Sequence, residues 1–101
     1  MGFVKVLQEV DLAPNGMRGV QADGQKILVA NIGGKYYAIG NVCMHRGCSL
    51  SDGTLFGENV VCPCHGSIYN VKTGNIVKGP TKKLEPVYQV KVEEGQVLVN
   101  L

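Results

Sequence analysis

Long hydrophobic runs are missing from this chain of 101 residues. The longest unbroken apolar stretch is Ile27-Leu28-Val29-Ala30, against the ~20 residues that a spanning helix needs. The N-terminus lacks an apolar leader with a small-residue cleavage site, and Val6 stands where a myristoylation signal needs Ser or Thr. Charge is sparse: charged residues are 18% of the chain, the net charge is +2, and arginine is limited to Arg18 and Arg46. That excludes the basic footprint of a nucleic-acid binder. No internal repeat, linker or low-complexity segment appears, which excludes solenoids and tethers. Helical periodicity is confined to residues 7–12, where Pro14 cuts it short. These absences predict a soluble, cytoplasmic protein without a membrane anchor, a single domain over 1–101. At this length a fold buries about two thirds of its unfolded surface, enough for a modest core.

What is present is β-structure. Val4, Val6, Val20, Ile27, Val29, Tyr37 and Ile39 lie in short β-branched or aromatic runs. Asn15-Gly16, Asp23-Gly24, Gly33-Gly34, Asp52-Gly53 and Glu94-Gly95 punctuate them at hairpin spacing. Glycine, at 14 residues, is about twice its usual share and has no period of three, so it serves turns. The tail alternates over 87–92 and again over 97–99, which predicts a terminal hairpin. The fold class expected is all-β, a small antiparallel barrel or sandwich.

From Asn41 to Pro80 the alternation breaks, and all four cysteines and both histidines fall between positions 43 and 65. They form two boxes, Cys43-Met44-His45-Arg46-Gly47-Cys48 and Cys62-Pro63-Cys64-His65-Gly66-Ser67. Each box offers one thiolate and one imidazole at close spacing, C-x-H and C-x-x-H, with 16 residues between His45 and Cys62. Two thiolates and two imidazoles suit a tetrahedral zinc or a mixed-ligand iron–sulfur centre. Zinc sites of this composition usually pair like ligands, two Cys on a turn and two His on a helix; here each box mixes them. A binuclear cluster held between two loops explains the mixing. A zinc-stabilised interaction module, a disulfide framework using all four cysteines, and a Cys62-Pro63-Cys64 thiol redox centre remain as alternatives.

The two boxes and their flanks resemble the Rieske [2Fe–2S] family, in which two histidines replace two cysteines on one iron. The stretch 62–69 resembles the second cluster loop, Thr73-Gly74 the hairpin after it, and Gly79-Pro80 the proline loop over the cluster. The resemblance implies one [2Fe–2S] cluster, bound by cluster loops at about 41–81 inserted in a β base fold. Cys43 and Cys62 would ligate the buried iron, and His45 and His65 the outer one. It also implies a Cys48–Cys64 disulfide between the loops, as in the subgroup found in cytochrome bc complexes. That bridge suggests an exported relative or a thermophilic host. Ser67 and Tyr69 match the hydroxyl donors that raise the potential in the same high-potential subgroup. Asn70 departs from the family, where Asp is usual.

The function implied is one-electron transfer: a soluble ferredoxin exchanging electrons with a redox protein partner such as a reductase, an oxygenase or a cytochrome. The chain is expected to be a monomer, and no nucleophile–base pair remains to make it an enzyme. The rival is the soluble domain of a quinol-oxidising bc-type complex. Lys72, Lys78, Lys82 and Lys83 read first as a solvated strand edge, with a docking face for an acidic partner as the alternative. Arg46 is expected to stay exposed beside the cluster.

Overall fold

A computed structural model of the chain describes residues 2–42, 48–64, 66–78 and 86–101. Among these described residues, eleven strands form three antiparallel sheets. β1 (Phe3–Gln8), β11 (Gln96–Asn100) and β10 (Val90–Glu93) form the first, in the order β1-β11-β10. β2 (Gly16–Ala22), β3 (Gln25–Ile32), β4 (Lys35–Gly40) and β9 (Val87–Tyr88) form the second in that order. The third runs β5 (Thr54–Phe56), β6 (Asn59–Val61), β7 (Ile68–Asn70) and β8 (Ile76–Lys78). The all-β expectation holds, as sheets in layers; no closed barrel forms among the described residues.

The turns follow from the dipeptides that mark them. Asp23 and Gly24, at φ 51° and 75°, join β2 to β3; Glu94 and Gly95, at φ 50° and 76°, join β10 to β11. Two successive left-handed residues are what the twist of a two-residue hairpin requires, and glycine takes that conformation without steric cost.

The apolar run at 27–30 is explained by β3 lying in the middle layer. Ile27 and Val29 pack with Leu7, Leu12, Ala38, Val97 and Val99 in one core. Leu28 and Ala30 pack with Ile39, Leu50, Val60, Cys62, Tyr69 and Val71 in the other. Successive strand residues point to opposite faces, so a strand covered on both sides loses its polar alternation.

Two expectations are corrected. The alternating stretch 87–92 is two strands, because the chain changes sheets at Gln89: β9 pairs with β4 and β10 with β11. The helical signal at 7–12 is the last two residues of β1 followed by one 3-10 turn, Glu9–Asp11. Leu7 and Leu12 are buried in one core while Val10 between them is 87% exposed, so the apolar spacing marks no helix face; a bulge between Lys5 and Leu7 lets Val6 and Leu7 both turn toward that core. Among the described residues, no helix is long and apolar enough to cross a membrane.

Candidate metal centre

The second box lies on the third sheet. β6 and β7 pair with Val60 opposite Tyr69 and Val61 opposite Ile68, and residues 62–67 connect them. The Cys62 amide donates to the Ser67 carbonyl (2.7 Å), and the Gly66 amide donates to the Cys62 carbonyl (3.1 Å). With a side-chain period of two, Cys62 follows Val60 onto the buried face and Ser67 precedes Tyr69 onto it. All four side chains are enclosed: Cys62 is 2% exposed and Val60, Ser67 and Tyr69 are 0%. Cys62 is a free thiol within the core shared with Leu28, Ile39 and Leu50.

Val42 and Ser49, which flank the first box in the chain, pair in an antiparallel bridge. Cys48, the last residue of that box, is disulfide-bonded to Cys64 of the second, with Cα atoms 6.5 Å apart, although the pair lie 16 positions apart in the chain. This is the pairing that the family resemblance implied. It corrects two alternatives: Cys64 is engaged with Cys48 and makes no thiol couple with Cys62, and the free Cys62 rules out a framework using all four cysteines. Cys43, His45, Arg46, His65, Gly79, Pro80, Lys82 and Lys83 lie outside the described residues.

Soft-metal sites want thiolate in dry surroundings with hydrogen-bond donors nearby. Ser67 suits that role, since its buried Oγ has no hydrogen-bond partner among the described residues. An unpaired hydroxyl in a core costs about 1–3 kcal/mol, so it is expected to have an acceptor when the site is complete. The donor set of buried thiol and buried, unpartnered hydroxyl fits an iron–sulfur group.

Sequence reasoning left Asn70 without a role, and here it organises the hairpin behind the site. Asn70 Oδ1 accepts from the amides of Lys72 (2.8 Å) and Thr73 (3.2 Å), while its Nδ2 donates to Glu58 Oε1 (3.0 Å). Gly74, at φ 74°, completes the turn, as the Thr73-Gly74 hairpin expectation had it. An Asp at 70 would set a second carboxylate against Glu58, which is a reason for Asn in this chain. Asn70 and then Lys72, whose Nζ is 3.2 Å from Glu58 Oε2, hold the Glu58 carboxyl below its ordinary pKa. Lys72 also lies over the Tyr37 ring at 5.4 Å. Paired in this way, Lys72 is no part of an uncompensated basic face. Lys78 is exposed on β8, the edge of its sheet, as the solvated-edge reading expects.

Residues 2–95 match the Rieske [2Fe-2S] domain. Ferredoxin CarAc of Metapseudomonas resinovorans is 38% identical, over 96% of this chain and 92% of that one. The cytochrome b6-f complex iron-sulfur subunit of Chlorobaculum tepidum is 32% identical over 97% of this chain, which spans 56% of that subunit. Among solved structures, a chain from the complex of reduced oxygenase and oxidized ferredoxin in carbazole 1,9a-dioxygenase superposes with a TM-score of 0.91. It is 36% identical, with 97% of this chain and 92% of that chain covered. The match displaces the zinc-module alternative. This chain belongs to the Rieske [2Fe-2S] domain family, whose members hold one [2Fe–2S] cluster and transfer electrons.

Proposed function

We propose that the chain is the electron-carrying ferredoxin of an oxygenase system, one Rieske domain over 1–101, and that its potential lies in the upper part of the family's range. Cys43 and Cys62 would hold one iron and His45 and His65 the other. The bound cluster would supply reversible one-electron chemistry. The chain's part is to keep Cys62 dry, to aim hydroxyl donors at the sulfur, and to hold the two loops together. Likeness to whole-length ferredoxins supports a mobile carrier in the soluble phase, meeting a terminal oxygenase as its redox partner.

The observation that carries the potential is Ser67, with its Oγ buried beside the Cys62 loop and no partner among the described residues. A donor to sulfur withdraws electron density and favours the reduced, more negative cluster. Tyr69, buried two residues on along the same face, acts in the same sense. The bridge between Cys48 and Cys64 and the b6-f relative favour a second reading, a Rieske domain of the bc type.

Voltammetry at pH 7 tests the proposal. The Rieske range runs from roughly −150 to +300 mV, and a midpoint in its upper part is expected. Ser67→Ala and Tyr69→Phe should each lower it with the cluster retained. A midpoint below about −50 mV, unmoved by Ser67→Ala, would refute the tuning role. Reduction of a dioxygenase's terminal oxygenase by the reduced protein, against reduction of a c-type cytochrome, separates the two partner readings.

A further inference from the structure

The base of the first cluster loop is fastened by groups that no ligand motif includes. Asn41 lies two residues before Cys43 and is 6% exposed. Its Nδ2 donates to Ser51 Oγ (2.9 Å), and its Oδ1 accepts from the Ser51 amide (2.8 Å). Its carbonyl accepts from the Leu50 amide (3.1 Å), and its own amide donates to the Lys26 carbonyl at the start of β3 (3.0 Å). Three hydrogen bonds thus tie Asn41, at the near end of the segment that carries Cys43, His45 and Cys48, to Leu50 and Ser51 at its far end, and a fourth ties it to β3. Between the two ends, Val42 and Ser49 make a single bridge.

Gly19 on β2 forms the floor beneath this clasp. A Cβ there would stand 2.5 Å from Asn41 Nδ2 and 2.6 Å from Ser51 Oγ, closer than real Cβ contacts come. The asparagine–serine pair therefore fills the space that glycine leaves. A carboxamide is suited to the position because it both donates and accepts, and the side chain of a buried Asp would bring a charge.

We infer that Asn41 and Ser51, seated on Gly19, form a positioning clasp that sets how the first loop presents its ligands to the cluster. The inference rests on the cofactor reading above and deepens it. The clasp residues touch no iron or sulfur in this account; they act through the loop, so their loss registers in the cluster more than in the fold. Asn31 provides a matched control. It is also a buried asparagine, 3% exposed, with Nδ2 donating to the Leu12 carbonyl (3.0 Å) and Oδ1 accepting from the Gly34 amide (2.9 Å). It lies at the other end of β3 from Lys26.

The test compares holoprotein of the parent with Asn41→Ala, Ser51→Ala, Gly19→Ala and Asn31→Ala. Three quantities are read: the thermal midpoint by circular dichroism, the rate of cluster bleaching under excess chelator, and the EPR spectrum of the reduced protein. Asn41→Ala and Asn31→Ala should lower the thermal midpoint alike. The three clasp variants should bleach about tenfold faster than the parent and shift or broaden the EPR signal, since each loosens the closure of the ligand-carrying loop, by loss of a clasp hydrogen bond or, in Gly19→Ala, by a Cβ that displaces the pair. Asn31→Ala should change neither. If Asn41→Ala does not fold, Ser51→Ala still decides, because it keeps the backbone bonds. Bleaching within twofold of Asn31→Ala, with an unaltered EPR spectrum, overturns the clasp. A parent protein that takes up no cluster overturns the cofactor reading instead, and is told apart at the first measurement.

Discussion

The β2–β3–β4 meander and the β5–β8 sheet are both antiparallel, yet they are held in different ways. β3 is 8 residues long and is covered on both faces, with tight hairpins at each end. Each strand of the β5–β8 sheet has 3 residues, near the lower limit for strands. Such ladders have little cohesion of their own. The site sheet leans instead on Val60, Tyr69 and Val71 packed against Leu28 and Ile39, and on the bond from Cys64 to Cys48. The meander is a platform that side-chain alternation suffices to build, while the site sheet is assembled by cross-links to that platform. Opening is therefore expected to begin on the site side.

The largest effect should come from removing a proposed ligand. Cys62→Ser is expected to abolish cluster incorporation, read as loss of visible absorption and of bound iron and sulfide. The far-UV spectrum should keep its β signature, because the platform does not need the cluster. A variant that loses both together would erase the contrast between the two regions. Next come the adjacent residues Ile27 and Leu28, each 0% exposed but in different cores. Each change to alanine should cost about 2–5 kcal/mol in urea unfolding. Only Leu28→Ala should also speed cluster bleaching, since only Leu28 faces Cys62 and Tyr69. Equal bleaching in the two variants would mean that the cores are coupled as one.

The bridge should matter less. Closing a loop of this length is worth ~3 kcal/mol by the chain-entropy estimate, and the cluster would already restrain the same two loops. The double variant Cys48→Ser/Cys64→Ser, which leaves no exposed lone thiol, is expected to lose less than that in the holoprotein. Its cluster should bleach at a lower temperature than the parent's, while the unfolding of the platform barely moves. Labelling of two thiols in the native, non-reduced parent would contradict the bridge.

How much was legible in the sequence follows the same division. Val97 and Val99 alternate, Asp23-Gly24 can take the hairpin turn, and both features depend only on neighbours in the chain. The cluster family was legible for a different reason, because thiol and imidazole spacing reports chemistry directly. What escaped depends on distant partners. Gln89 gives no sign that the chain changes sheets there, since Val87 and Val90 look alike until β4 and β11 are in place. The clasp at Asn41 needs Gly19 and Ser51, which lie 22 and 10 positions away. An asparagine before a cysteine box carries no pattern of its own.

The smallest effect expected lies at the hairpin behind the site, where Asn70, Glu58 and Lys72 meet at the surface. Asn70 donates to Glu58 and Lys72 pairs with it, so the folded state lowers the Glu58 pKa. A carboxyl whose pKa falls on folding contributes stability above its unfolded pKa and loses it as the pH drops through the folded value. The contribution is therefore present at neutral pH and gone in acid. It is small, because all three side chains face solvent and exposed pairs are screened. Asn70→Asp restores the residue usual in the family and keeps the acceptor for the Lys72 and Thr73 amides, but it replaces the donor to Glu58 with a second carboxylate. Urea midpoints of the parent and the variant should differ most near pH 7 and converge as both carboxylates are protonated. Adding Glu58→Gln to the variant should recover the lost stability at pH 7, since the repulsion then has no second charge. A deficit that persists unchanged into acid would show that Asn70 acts through turn geometry alone, and that repulsion between carboxylates at 58 and 70 contributes nothing measurable.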